Sequence, residues 1–331
     1  MAVPLWVWLA TIAGFALLVA LDVWQASRPH PVGMGEAARW SGVYLGSAVL
    51  FGLGVWVFAG TEPAVEFATG FLVEKTLSVD NLFLFALSLS AFAVPARHQS
   101  KVLLIGILGA LGMRVVFIIA GAELVQRFSI VFLAFGALLI YTAIRLLRTH
   151  GQPPDLRNTR MMRWARRCLP IAEHTYPTKD GALLVRRGSR LTVTGLGLAV
   201  LALLSVDVMF ALDSIPAIFG ITQNLYLVLA TNAFALLGLR ALYFLLVGLL
   251  ERLVHLHYGL AAVLGLIGVK LTLHYLHTLT PAVPEIPTWL SLTLIVAIFT
   301  VATATSVHAT RHTPPAATAP DHPTSRNDSS R

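Results

Sequence analysis

Two pairs of acidic residues lie where acids are least expected. Glu74 and Asp80 fall in one apolar run of this 331-residue chain, Asp207 and Asp213 in another. Each pair is six positions apart, which is about 9 Å along a helix axis. An ionised carboxylate in hydrocarbon costs several kcal/mol unless it is partnered or wetted, so acids at that depth mark ion paths, proton relays or internal ion pairs. Asn81 and Asn232 add amide oxygens to the same regions. Carboxylate and carbonyl oxygens suit hard cations such as Mg²⁺, Ca²⁺ and Mn²⁺, whereas soft metals prefer sulfur. Glu74, Asp80, Asn81, Asp207, Asp213 and Asn232 therefore form a candidate divalent-cation site. The competing reading pairs these acids with Lys75, Arg114, Arg240 and Lys270 as structural ion pairs. Both hold together if the arginines orient ligands and limit the charge of the empty site. Ser78 and Ser205 precede the aspartates, but serines in membrane helices commonly bond back to their own helix.

The acids belong to a duplication. Leu77-Ser78-Val79-Asp80 recurs as Leu204-Ser205-Val206-Asp207, and Leu111-Gly112-Met113-Arg114 is echoed at nearly the same offset by Leu237-Gly238-Leu239-Arg240. With 56% hydrophobic and 12% charged residues, the chain has about half the charge of a soluble domain. It reads as an all-α, polytopic membrane protein. Apolar runs long enough to span occur near 4–24, 40–60, 64–90, 101–121, 128–147, 192–216, 225–249, 258–277 and 288–308, giving nine spans. No Lys or Arg precedes Arg28, so the first run reads as a retained span rather than a secretory leader.

Nine spans put the termini on opposite sides, and the basic residues choose the orientation. With the N-terminus outside, Arg28, Arg39, Arg97, Lys101, the basic 148–190 segment, Arg252 and the tail arginines are cytoplasmic, against Arg127 alone outside. The net charge of +8 is then a topology signal rather than a nucleic-acid footprint. In this orientation the two copies of the repeat run oppositely through the membrane, an inverted repeat of three helices each. Secondary transporters use that arrangement to place a site at the midplane.

The chain divides into two flanking helices (1–61), a first repeat (62–147), a basic cytoplasmic insertion (148–190), a second repeat (191–279), a final helix (280–308) and a disordered tail (309–331). Asp180-Gly181 inside the insertion predicts a small hairpin between residues 175–178 and 182–185. Pro216 should bend or end the sixth span. Gly106, Gly109 and Gly112, and Gly265 with Gly268, read as helix-packing positions. His255 with His257 and His274 with His277 fall on opposite sides of the membrane and read as interfacial polar residues. The single Cys168 gives no intramolecular disulfide. No Walker motif and no nucleophile-base combination stands out, so neither an ATP-driven pump nor an enzyme is expected.

Three stretches carry a family resemblance: Glu66-Phe67 through Glu74-Lys75-Thr76-Leu77-Ser78-Val79-Asp80-Asn81-Leu82-Phe83, Asp207 through Phe219, and Asn232 through Phe244, with Gly268-Val269-Lys270 beyond them. Over roughly residues 40–275 the chain resembles the TerC (TerC/Alx-like) family of the wider LysE-type exporter superfamily. The resemblance implies a bacterial plasma-membrane protein. It further implies Mn²⁺ export as in several relatives, tellurium-oxyanion resistance as in others, or a role in membrane-protein assembly. Many relatives carry a glutamate where this chain has Leu204, so its cation site can differ. The expectation is export of a divalent cation, most of all Mn²⁺, with proton antiport as a coupling scheme and no permanently bound cofactor. One rival is oxyanion resistance with Arg114 and Arg240 as the binding groups, and another is a scaffold that transports nothing. Expected partners are the metal ion and the lipid bilayer, not nucleic acid; homo-oligomers and membrane-protein partners stay open.

Overall fold

The computed structural model describes residues 3–26, 32–148, 163, 167, 171–172, 182–187, 190–246, 256–280 and 282–312. The helices are α1 (Leu5–Ala26), α2 (Met34–Ala59), α3 (Thr61–Ala91), α4 (Ala96–Arg127), α5 (Ile130–Arg148), α6 (Gly195–Phe219), α7 (Leu225–Leu236), α8 (Leu239–Leu246), α9 (Leu256–Leu279) and α10 (Thr288–His312). Among the described residues, eight spans are long and apolar enough to cross a membrane, with α7 and α8 together counting as one. The ninth crossing is α3, which has 31 residues and carries Glu62, Glu66, Glu74, Lys75 and Asp80. The chain is a polytopic all-α membrane protein. Large apolar side chains such as Leu50, Val57 and Phe58 on α2 and Trp6 on α1 face outward. In water such a surface would be a liability, but in a bilayer it is the lipid contact.

The packing shows the inverted repeat directly. Position by position, α3 corresponds to α6, α4 to α7 and α5 to α9, and the members of each pair touch. Each pair runs antiparallel. A β-carbon on Gly70 of α3 would lie 3.6 Å from Ile218 Cδ1 of α6, whereas Leu82–Leu89 share a cluster with Leu196–Val206. Arg114 of α4 meets Asn232 of α7, while Ile118 and Ala122 pack with Val228. On α5 and α9, Gly136 faces Thr272 and Ala143 faces Gly265. The cross-pairs α3 with α7 and α4 with α6 run parallel, as an axis in the membrane plane requires.

Glycines set the closest approaches. A β-carbon on Gly136 would lie 2.8 Å from the carbonyl oxygen of Gly268, and one on Gly268 would lie 2.9 Å from that of Gly136. These two helices, one from each half, touch backbone to backbone. Gly106 and Gly109 likewise admit Leu203 and Leu204 of α6, whereas Gly112 has nothing within 4 Å. Of the predicted glycine stripe, only the first two positions are packing positions.

Three local expectations change. The predicted seventh span, 225–249, breaks at Leu237-Gly238, where Gly238 adopts φ +76° and the Tyr44 ring would lie 2.6 Å from any β-carbon. Only glycine fits there, for both conformation and space. Pro216 does not end its helix at once: α6 continues to Phe219, and the Gly220 N–H donates to the Pro216 carbonyl. In the insertion, Leu184–Arg187 (β2) pairs antiparallel with Arg190–Thr194 (β3), which also runs parallel to Ile171–Ala172 (β1). The strand partner of 184–187 is thus downstream, and the predicted turn at Asp180-Gly181 lies outside the described residues. So do His255, Cys168 and the tail from 313. Thr194 ends the sheet and caps α6, its Oγ1 accepting from the Gly197 N–H at 3.3 Å.

Replacing Gly136 by Ala should lower stability by about 1–3 kcal/mol, because backbone atoms cannot yield as side chains do. Gly112→Ala should be neutral or stabilising. Thermal unfolding of the two purified variants in detergent checks the contrast.

Candidate functional site

Arg114 is the largest side chain buried almost completely, at 1% exposure, and it sits where α3, α4, α6 and α7 meet. Its Nη1 donates to Glu74 Oε2 at 2.9 Å and to Asn232 Oδ1 at 3.0 Å. Its Nε and Nη2 donate to the two oxygens of Asp207 at 3.3 and 3.0 Å, a bidentate pairing. Asn232 Nδ2 donates to Glu74 Oε1 at 3.0 Å. Every carboxylate oxygen of Glu74 and Asp207 therefore has a donor, and the two acids come from opposite halves of the repeat.

Among the described residues of α3, α6 and α7, four buried polar atoms have no hydrogen-bond partner: Ser78 Oγ, Asn81 Oδ1, Ser214 Oγ and Thr231 Oγ1. All four residues are at most 1% exposed. Unpaired buried oxygens are uncommon and call for an occupant such as water or an ion. Among the described residues, no three His, Cys, Asp or Glu side chains are placed to hold one metal ion. A cation here would take Glu74 and Asp207 together with neutral amide and hydroxyl oxygens.

The other candidate residues are spread out. Asp213 stands apart from the network: it faces α5, where Thr142 Oγ1 donates to it at 2.9 Å. The six-residue spacing from Asp207 turns it to a different side of α6, so the expected convergence of acids does not include it. The Asp80 side chain lies outside the described residues. Ser205 Oγ donates back to the Leu201 carbonyl at 2.8 Å, the ordinary intrahelical bond. Lys270 Nζ reaches Thr288 Oγ1 at 3.4 Å, far along α9 beside a cavity of about 730 Å³. Lys75 Nζ donates to the Ala235 and Leu237 carbonyls at 3.1 and 3.2 Å. In an unbroken helix those carbonyls would accept from residues 239 and 241, so Lys75 satisfies groups that the Gly238 break sets free.

Arg240, the repeat mate of Arg114, has different partners. Its Nη2 donates to Asp22 Oδ1 at 2.9 Å and to Gln25 Oε1 at 2.6 Å, and its Nη1 to Ser100 Oγ at 2.8 Å. Tyr44 OH donates to the same Asp22 oxygen at 2.9 Å. Sequence reasoning overlooked Asp22, Gln25, Tyr44, Ser100 and Thr142. Asp22 carried a usable signal, since it is an acid near the end of the first apolar run. His274 meets Glu285 at 2.8 Å and His277 the Val283 carbonyl at 2.7 Å, both at the loop before α10, while His257 sits at the opposite end of α9 and His255 lies outside the described residues.

The family model described as "Integral membrane protein TerC family" matches residues 59–313. The chain belongs to the TerC family. Among its relatives, an uncharacterized membrane protein of Mycobacterium tuberculosis H37Rv is 42% identical over 320 residues, covering 92% of this chain and 80% of the relative. A second, from Myxococcus xanthus, is 37% identical over 310 residues and covers 93% of each chain. Alx of Escherichia coli K12, whose name provisionally makes it a membrane-bound redox modulator, is 38% identical over 267 residues, or 77% of this chain and 82% of its own. No solved structure matches. The TerC match takes in Glu74, Arg114, Asp207 and Asn232, so the whole ion network lies inside the family region.

Arg114→Met strands two buried carboxylates and should cost about 3–5 kcal/mol. Adding Glu74→Gln and Asp207→Asn should recover most of the loss. Thermal unfolding in detergent, compared across the single and triple variants, measures both effects.

Proposed function

We propose that this TerC protein exports a divalent cation, with Mn²⁺ as cargo, across a bacterial plasma membrane, its N-terminus outside and its C-terminus cytoplasmic. The observation that carries this reading is the pair Glu74 and Asp207, one from each inverted half, buried together against a single guanidinium. Two carboxylates in a medium of low dielectric always need a positive partner. Arg114 fills that role in this conformation. A hard cation entering the bundle displaces Arg114 and takes Glu74 and Asp207, with amide oxygens from Asn232 and the unpaired Asn81. Release returns the acids to Arg114, so they are never left bare during the cycle.

Protons compete for the same oxygens, which makes antiport the simplest coupling. Transport that ignored a pH gradient in vesicles, with Mn²⁺ binding intact, would remove it from the scheme. The oxyanion reading is weaker, because an anion at Arg114 or Arg240 would meet Glu74 and Asp207, or Asp22, already in place. The redox role in the name of Alx finds only one thiol here, Cys168, which supplies no intramolecular dithiol.

The decisive measurement is Mn²⁺ content in exporter-deficient cells expressing wild type or Asp207→Asn at matched membrane levels. Wild type should lower cellular Mn²⁺ and the variant should not; if wild type leaves Mn²⁺ unchanged, the proposal fails. Asn232→Ala, which frees Glu74 from its orienting amide, should weaken Mn²⁺ binding by roughly 10–100-fold, the usual cost of losing such a support. Titration of the purified protein with Mn²⁺ reads that change.

A further inference from the structure

We infer that the cation leaves the buried carboxylates along the Glu66–Gly70–Glu74 face of α3, past the hydroxyls of Thr231 and Ser214, into the cavity beside Glu66. This route rests on the proposed export function and gives it a direction. Glu66, Gly70, Glu74 and Ser78 recur every four residues and so share one helix face. At one end Glu66 lines the cavity of about 730 Å³ and accepts a hydrogen bond from Thr222 Oγ1 at 2.6 Å. At the other, Glu74 is held in the Arg114 network. Gly70 lies between them, where a β-carbon would sit 3.0 Å from Thr231 Cγ2 and 3.6 Å from Ile218 Cδ1. There α3 comes close to both α7 and α6.

The hydroxyls beside this face behave differently from those elsewhere. Thr69, Thr76, Ser88, Ser205 and Thr272 all donate to the carbonyl four residues back on their own helix. That bond is the usual resting state of a hydroxyl in a membrane helix. Thr231 and Ser214 do not make it and have no hydrogen-bond partner among the described residues. Thr231 adjoins Asn232 in the network and touches the Gly70 position. Ser214 is two turns beyond Asp207 on the same face of α6 and one turn before Ile218. Unpaired hydroxyl oxygens there replace part of a hard cation's hydration as it passes. Toward the opposite membrane face, Leu82, Phe85, Leu103, Leu203 and Val206 close an apolar cluster over the site. On the proposed route this conformation communicates with the cavity side, which is the outer face in the proposed orientation.

The test is thiol accessibility in full-length protein carrying Cys168→Ser, with Thr231→Cys, Ser214→Cys or, as a control in the apolar cluster, Leu203→Cys. Ag⁺ is applied to the outer face of intact cells or oriented vesicles, and loss of free thiol is read after quenching. The route predicts loss of thiol at positions 231 and 214, retention at 203, and protection of position 231 when Gly70→Leu is added. Thiols at both 231 and 214 that resist outer Ag⁺ yet react after denaturation would overturn it, as would equal reactivity at 203. Excess Mn²⁺ separates the two proposals. Labelling that Mn²⁺ does not slow supports the route while counting against Mn²⁺ as cargo. Mn²⁺ binding to a protein whose thiols stay unreactive keeps the cargo and discards the route.

Discussion

One guanidinium holding two buried acids is the constraint on which the arrangement depends. Glu74 and Asp207 reach the centre of the bundle from opposite halves of the repeat, and neither tolerates burial alone. Arg114 satisfies both, with Asn232 completing the set of donors. The four helices that carry these side chains are thereby tied at one depth. Their depth relative to one another is fixed by these hydrogen bonds, in a medium where hydrophobic burial gives no drive for helices to associate. Glycines then allow the helices to come close enough for those bonds to form.

The same requirement, that no polar group be abandoned in lipid, explains the break in the seventh crossing. Gly238 turns the chain out of helical geometry, and the carbonyls of Ala235 and Leu237 lose their intrahelical donors. Lys75 supplies the replacement from α3. Two consecutive residues of α3 thus serve α7: Glu74 takes the Asn232 amide just before the break, and Lys75 takes the carbonyls at it. An irregular backbone persists at this depth because it is buried in protein, not exposed to lipid.

The halves are related but not equivalent in charge. Arg114 turns inward to acids of both halves, while its mate Arg240 is claimed by Asp22 and Gln25 of α1, a helix outside the repeat. The flanking helix thus breaks the symmetry by offering one arginine an alternative acid. This asymmetry goes with an asymmetric bundle, which has an apolar cluster around Leu82–Leu89 toward one end of α3 and a cavity beside Glu66 near the other.

The sequence alone determined the class of protein, the nine crossings and the repeat, because these depend on composition, run length and recurring motifs, all local or one-dimensional quantities. It also singled out Glu74, Asp207, Asn232 and Arg114, since charge in an apolar run is visible without coordinates. Which acid meets which arginine was not legible. Asp213 and Arg240 carry the same signal as Asp207 and Arg114, yet one faces Thr142 on α5 and the other Asp22 on α1. Rotation of a helix about its axis and the identity of its neighbours decide such pairings, and neither is written into spacing along one chain segment. The break at Gly238 was hidden for the same reason: a glycine among leucines reads as continuous helix until Tyr44 is seen pressed against it. Tertiary structure decided the partners because, in the membrane, each buried polar group is satisfied by whichever helix stands opposite.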